Sequence, residues 1–206
     1  MTPSDDMSQK ILRFIHVTGG GDRKVMVFIP RYLWHGTSAV NLLSILKDGF
    51  LVDPGRAVIT GRLFGDLLKD FNVCLTNFDF AHLKMSSVKL LLGIYLADSF
   101  EKSSRYCHPS AAGLNYMLLC RVALGKCYRL NSANSDLVNA TPKDYDSLHV
   151  LGRKHSKSSI TVDGVMIPAY DFAVRSNRTQ YGILEFSEYV VRNSERILPR
   201  YLVIYR

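Results

Sequence analysis

The run Met117–Leu124 (MLLCRVAL) is apolar apart from Arg121 and is stopped by Gly125. A bounded apolar run of this length has the pattern of a buried strand, which requires partner strands elsewhere in the chain. Residues 10–17 (KILRFIHV) alternate partly like a strand. Gly19-Gly20-Gly21 with Asp22 is a turn signal, and Lys24–Ile29 reads as the return strand. Ile160–Ile167 holds a hairpin turn at Asp163-Gly164. Glu188–Val191 and Tyr201–Tyr205 are two further β-rich runs, joined by a short polar link, Arg192–Arg200. Residues 131–161 read as polar and loop-like.

Helices are fewer and lie in the first half. Ser38 can cap a helix carrying Val40, Leu42, Leu43, Ile45 and Leu46, stopped by Gly49. Asp98 with Glu101 three places on resembles a capping box, predicting a short helix from Asp98 to about Cys107, before Pro109. Asp53-Pro54-Gly55 is a turn, and Thr60–Gly65 an ordered loop. The pattern is α+β, built on a mostly antiparallel sheet.

The chain of 206 residues is one domain, or one with an insertion. No apolar run reaches the roughly 18–20 residues that cross a membrane, so no membrane partner is expected. The first residues, MTPSDDMSQK, do not form a secretory signal. The net charge of +8 suits an anionic partner or substrate such as a dinucleotide. The basic residues are dispersed and no DNA-reading motif is present, so no direct nucleic-acid-binding module is expected. Cys74, Cys107, Cys120 and Cys127 lack CxxC spacing, which argues against a metal site and for free thiols in a reducing compartment. The glycine cluster at 19–21 lacks the G-x-G-x-x-G spacing of a dinucleotide fingerprint.

Three stretches carry candidate chemistry. In Gly93–His108 (GIYLADSFEKSSRYCH) a strand-like start turns into a polar helix. Ser103 and Tyr106 are three apart and Lys102 and Tyr106 four apart, so their side chains are neighbours on a helix. A hydroxyl beside an aromatic face can hold a flat amide-bearing ring; alternatively Tyr106 packs in the core and Ser103 faces solvent. In Leu33–Thr37 (LWHGT), His35 could bond a ligand hydroxyl or be a satisfied structural residue, and Gly36 would allow close approach to the backbone. In Ser187–Tyr189 (SEY), Glu188 opens an apolar strand, as a sheet-edge surface residue or a functional one.

Taken together, and in this order, LWHGT, GIYLADSFEKSSRYCH and SEYVV resemble the catalytic domain of the poly(ADP-ribose) polymerase family. NLLSILKDG at 41–49, TGRLFG at 60–65, RVALGK at 121–126, DGVMIP at 163–168 and the closing RYLVIY fit as well. The resemblance covers about residues 10–206, leaving 1–9 as a flexible start. It implies the ADP-ribosyltransferase fold, a mostly antiparallel split sheet with a few short helices around an NAD cleft. It also implies NAD-dependent ADP-ribosyl transfer to acceptor proteins, itself among the candidates, with release of nicotinamide. NAD is then a substrate, and no true cofactor or metal is expected. The family's histidine–tyrosine–glutamate triad falls on His35, Tyr106 and Glu188. By the same resemblance, His35, Gly36, Tyr95, Ala97, Lys102, Ser103 and Tyr106 contact NAD. Gly36 and Ser103 would hold the nicotinamide amide, Tyr106 and Tyr95 flank its ring, His35 holds the adenosine ribose, and Glu188 bonds the nicotinamide ribose. A glutamate at the third triad position is what chain-elongating members carry, so polymer formation is expected. Nuclear localisation and a part in DNA repair follow as family expectations.

The sequence also departs from the family. Asp66–Leu92 intervenes between TGRLFG and GIY as an insertion of about 25 residues, long for a compact domain. Such a segment beside the pocket could act as a lid, be an extruded loop, or block the site and leave an inactive NAD- or protein-binding module; single-unit transfer is a separate alternative. Leu51 stands where relatives often have an arginine, and Leu63 where a methionine is common. The helical regulatory subdomain that precedes the fold in DNA-damage-responsive members is not expected here. LLCRVALGK and RYLVIYR resemble tankyrase wording, whereas Tyr106-Cys107-His108 resembles the DNA-damage-responsive group, which is favoured.

Overall fold

The computed structural model describes residues 11–16, 30–52, 93–131, 141–175 and 184–206, with side chains from residue 30 onward. The flexible start, the glycine turn and return strand, the 53–55 turn, the TGRLFG loop, Leu63, Cys74 and the 66–92 insertion lie outside the described residues.

The Met117–Leu124 run forms β4 (Asn115–Val122), which pairs antiparallel with β12 (Ile197–Tyr205) on one side and β2 (Arg31–Gly36) on the other. Met117, Leu118, Cys120 and Val122 are all fully buried, as a strand covered on both faces requires. β1 (Ile11–His16) extends the sheet beyond β12. On the far side, β2 meets β3 (Ile94–Ala97) through a single register pair, Trp34 with Ala97. β3 then pairs with β11 (Glu188–Val191), β11 with β6 (Ser147–Val150), and β6 in parallel with β5 (Cys127–Leu130). The one-pair junction divides the sheet into two halves, in keeping with the split-sheet expectation.

The described elements match the α+β reading, with several corrections. The segment expected to be a loop, 131–161, contains β6, β7 (Lys154–Ser156) and β8 (Ser159–Val162). β6 escapes a composition-based reading because Ser147 and His149 alternate with Leu148 and Val150 over only four residues. Ser147 Oγ donates to the Leu124 carbonyl at 2.7 Å, and the His149 ring stacks on Tyr189 at 4.2 Å, while its buried Nε2 has no hydrogen-bond partner among the described residues. β12 begins at Ile197 rather than Tyr201, so the polar link is shorter than expected. Pro199 fits because the register with β4 shifts between Pro199 and Tyr201. The Asp163-Gly164 turn joins β8 to β9 (Val165–Pro168), and both residues have positive φ (51° and 72°), as a type I′ hairpin requires. β10 (Phe172–Val174) pairs with β7 in a small separate sheet.

The predicted Ser38 cap is present. Its hydroxyl accepts from the Asn41 amide at 3.4 Å at the start of the helix Ala39–Asp48. Gly49, at φ 83°, closes that helix by donating to the Ile45 carbonyl. The helix buries Leu42 against Leu33, Leu118 and Tyr189, while Val40 and Leu43 face solvent. Among the described residues, no helix is long and apolar enough to cross a membrane. Cys107, Cys120 and Cys127 are free thiols.

Candidate active site

The split in the sheet creates the site. At the ends of β2, β3 and β11, Trp34, Ala97 and Glu188 stand side by side in register. Side chains alternate across a strand, so Tyr95 and Ala97 share the sheet face that Glu188 faces. β3 then turns into the short helix Phe100–Ser104, which lies against the end of β2. The residue capping that helix is Ser99, not the expected Asp98: Ser99 Oγ accepts from the Lys102 amide at 3.2 Å. Asp and Ser are nearly equivalent as caps, so sequence does not choose between two adjacent candidates. The helix also ends at Ser104, earlier than expected, and Tyr106 lies in the turn after it, its amide donating to the Ser103 carbonyl.

Gly36 has a stricter reason to be glycine than ligand approach. A Cβ there would collide with the Ser103 carbonyl. The absence of a side chain lets β2 and the short helix meet backbone to backbone, which brings LWHGT beside SSRY. Ser103 Oγ, in turn, donates to the Trp34 carbonyl at 3.0 Å. A hydroxyl has one hydrogen and two lone pairs, so Ser103 can still accept an amide N–H.

His35 Nδ1 lies 2.8 Å from the Tyr95 carbonyl. A carbonyl only accepts, so the proton sits on Nδ1 and Nε2 is an acceptor when the ring is neutral. Burial pushes the His35 pKa below its ordinary value, against the Tyr95 bond that raises it, and keeps the ring neutral. His35 is therefore set to accept a hydroxyl hydrogen at Nε2, with Phe50 packed edge-on against its ring at 4.9 Å.

Glu188 is not a surface residue at a sheet edge. It is 3% exposed, on a strand flanked by β3 and β6. Lys102, 5% exposed, donates from Nζ to Glu188 Oε1 at 2.7 Å. The Tyr106 hydroxyl donates to the same oxygen at 3.4 Å, and Lys102 Nζ lies 5.7 Å from the Tyr106 ring centroid. Oε2 is buried with no hydrogen-bond partner among the described residues. Both donors thus engage one carboxylate oxygen and leave the other as an acceptor. In a buried setting that oxygen strongly favours a hydroxyl or a developing positive charge.

Asp98, one residue after the register partner of Glu188, is a second buried carboxyl, 8% exposed, whose Oδ1 has no partner among the described residues. Burial pushes its pKa up to about 7, against its own amide and the charges of Arg175 and Arg31. The folded protein therefore keeps a proton that the unfolded chain has already lost above the ordinary carboxylate value. Stability falls as pH rises from about 4 to about 7. Asp98→Asn is expected to remove that decline and to be more stable than wild type at pH 8, by on the order of 2 kcal/mol. Urea unfolding at pH 5 and pH 8 checks it; parallel pH slopes for the two proteins would refute it.

The structure thus brings His35, Gly36, Ala97, Lys102, Ser103, Tyr106 and Glu188 to one end of the split, with Tyr95 sharing Glu188's sheet face. Sequence reading missed Ser99, since it is adjacent to Asp98 and comparable to it as a cap. It also missed Glu185, Arg105 and Lys154, which ion-pair beside the site.

The family model described as the poly(ADP-ribose) polymerase catalytic domain matches residues 17–67 and 72–206. A tankyrase poly [ADP-ribose] polymerase of Caenorhabditis elegans is 38% identical over 232 positions, covering 100% of this chain and 9% of its own length. Poly [ADP-ribose] polymerase 2-A of Oryza sativa subsp. japonica is 31% identical over 175 positions, covering 83% of this chain and 22% of its own. Poly [ADP-ribose] polymerase 1 of Gallus gallus is 30% identical over 178 positions, covering 83% and 14%. This chain spans less than a quarter of the length of each of these relatives. On a match that runs over nearly all of it, the chain belongs to the poly(ADP-ribose) polymerase catalytic-domain family.

Proposed function

We propose that this chain is an NAD-dependent protein ADP-ribosyltransferase that releases nicotinamide and elongates poly(ADP-ribose) chains. The observation that carries the reading is the one-sided Glu188 carboxylate, with Oε1 held by Lys102 and Tyr106 and Oε2 left as an acceptor. Cleavage of the bond from nicotinamide to the ribose C1′ sends the bonding electrons into the pyridinium ring and leaves positive charge on the sugar. A fixed carboxylate beside that ribose stabilises the charge where it develops. The acceptor's nucleophilic oxygen then bonds C1′ and gives up its proton, for which Glu188 is the nearby base.

The other residues suit the same substrate. His35 Nε2 is an acceptor for a ribose hydroxyl, and Ser103 can accept from the carboxamide N–H₂. Tyr106 and Tyr95 offer aromatic surface to the ring, beside Ala97, whose small side chain leaves room, and Gly36 offers backbone groups to the amide. The net charge of +8 favours encounter with an anionic dinucleotide. Acceptor proteins, the chain itself among them, and residence in the nucleus belong to the same proposal.

Incubation with NAD labelled in its adenylate half is the test. Free nicotinamide together with a high-mass labelled ladder is expected. A ladder that stops at one unit per site removes the elongation part, and no nicotinamide at all removes the reading.

A further inference from the structure

The segment leading into Glu188 is clamped by a set of charges that the transfer chemistry does not use. Glu185, three residues before Glu188, accepts from Lys154 Nζ at 2.6 Å on Oε1 and from Arg105 at 2.8 Å on Oε2. Lys154 lies in β7, whereas Arg105 directly follows the short helix that carries Lys102 and Ser103. Arg105 is also tied back to that helix through Glu101 at 3.1 Å. Between these charges lies Phe186, fully buried, with the Arg105 and Lys154 cations 5.6 Å and 5.0 Å from its ring centroid. The backbone repeats the attachment. Lys154 and Arg153 donate to the carbonyls of Glu185 and Leu184, and Gly152 donates to Ser187 Oγ at 3.2 Å. Gly152 has no room for a Cβ against the Phe186–Ser187 peptide. The Lys154 and Arg105 bonds hold the Glu185 carboxyl below its ordinary value, so both pairs are formed at neutral pH.

The consequence is geometric. Lys102 reaches Glu188 from the short helix, and that helix and the approach to β11 are joined a second time at Arg105 and Glu185. We infer that Glu185, through Arg105, is a positioning residue: it fixes the short helix against β11 so that Lys102 and Tyr106 meet one oxygen of Glu188. This rests on the transferase reading above. Glu185 itself touches no reacting atom. Its effect is on the alignment of groups that act in the transition state, where displacement by a fraction of an ångström lowers turnover.

The test uses the full chain carrying Glu185→Gln, Arg105→Gln, the double variant and the conservative Arg105→Lys. Each glutamine variant is expected to lower kcat about tenfold while KM for NAD stays within about twofold. The double variant should lose about as much kcat as the worse single, because the Arg105–Glu185 connection is already gone in each single variant. Arg105→Lys should recover part of the loss. Wild-type kcat in both single variants, or losses that only follow lowered melting temperature, would overturn the assignment. If Glu185→Gln does not fold, Arg105→Gln and Arg105→Lys decide it by the same measure. If wild type releases no nicotinamide, the transferase reading has failed. The positioning claim is then judged from a crystal structure of Arg105→Gln. The Lys102–Glu188 contact of 2.7 Å should lengthen beyond hydrogen-bonding reach, and an unchanged contact rejects the claim.

Discussion

Glu188→Gln is expected to lower kcat for ADP-ribosyl transfer by about 10²–10³-fold while NAD affinity changes little, the scale set by removing one preorganised electrostatic group from a transition state. Glutamine matches the shape of glutamate and keeps an oxygen that can accept from Lys102 and Tyr106, so the contacts of the pocket are kept; the buried Lys102 ammonium loses its anion, which costs stability, so the kinetics are read at a temperature where the variant is folded. What it lacks is negative charge. Ground-state NAD carries its positive charge on the nicotinamide ring, and only bond cleavage moves that charge onto the ribose. An interaction realised mainly in the transition state appears in kcat and hardly in KM. Elongation should fail most completely, since the acceptor is then a ribose hydroxyl that needs both charge stabilisation and a base. Steady-state nicotinamide release and calorimetric titration with a non-hydrolysable NAD analogue separate the two effects. A variant that elongates at the wild-type rate would remove Glu188 from the chemistry.

The pieces of the candidate site are legible in the sequence because each is local. LWHGT carries His35 and Gly36 within five residues, and the strand-to-helix stretch carries Tyr95 through Tyr106 within sixteen. What could not be read was how the pieces meet. Glu188 opens the run EYVV, a pattern that fits a sheet edge as well as a buried strand. Its burial is decided by β3 and β6, which flank it from distant parts of the chain. β6 itself was missed, since four residues of alternating polarity in a polar stretch give little signal. The Glu185 pairs join residues 80 and 31 positions apart, beyond any local pattern. Gly36 shows a different gap: its presence was noticed, but the reason, contact with the Ser103 carbonyl, exists only once the strand and helix are packed.

Lys102→Met should destabilise the fold by about 3–5 kcal/mol, the range for removing one partner of a buried ion pair. Methionine fills most of the space of the lysine stem, so the loss is not chiefly one of packing. It comes from stranding the Glu188 carboxylate, 3% exposed, with the Tyr106 hydroxyl at 3.4 Å as the remaining donor to Oε1 among the described residues. Adding Glu188→Gln to Lys102→Met should restore most of the stability at pH 8, since the uncompensated charge is then absent, while leaving the protein inactive. Urea midpoints for the wild type, both single variants and the double variant at pH 8 read the whole cycle. If the double variant recovers nothing, then lysine packing rather than the ion pair holds the two sides of the site together. Recovery in the double variant would separate the two roles of Glu188: costly to the fold as a charge without Lys102, and required as a charge for transfer.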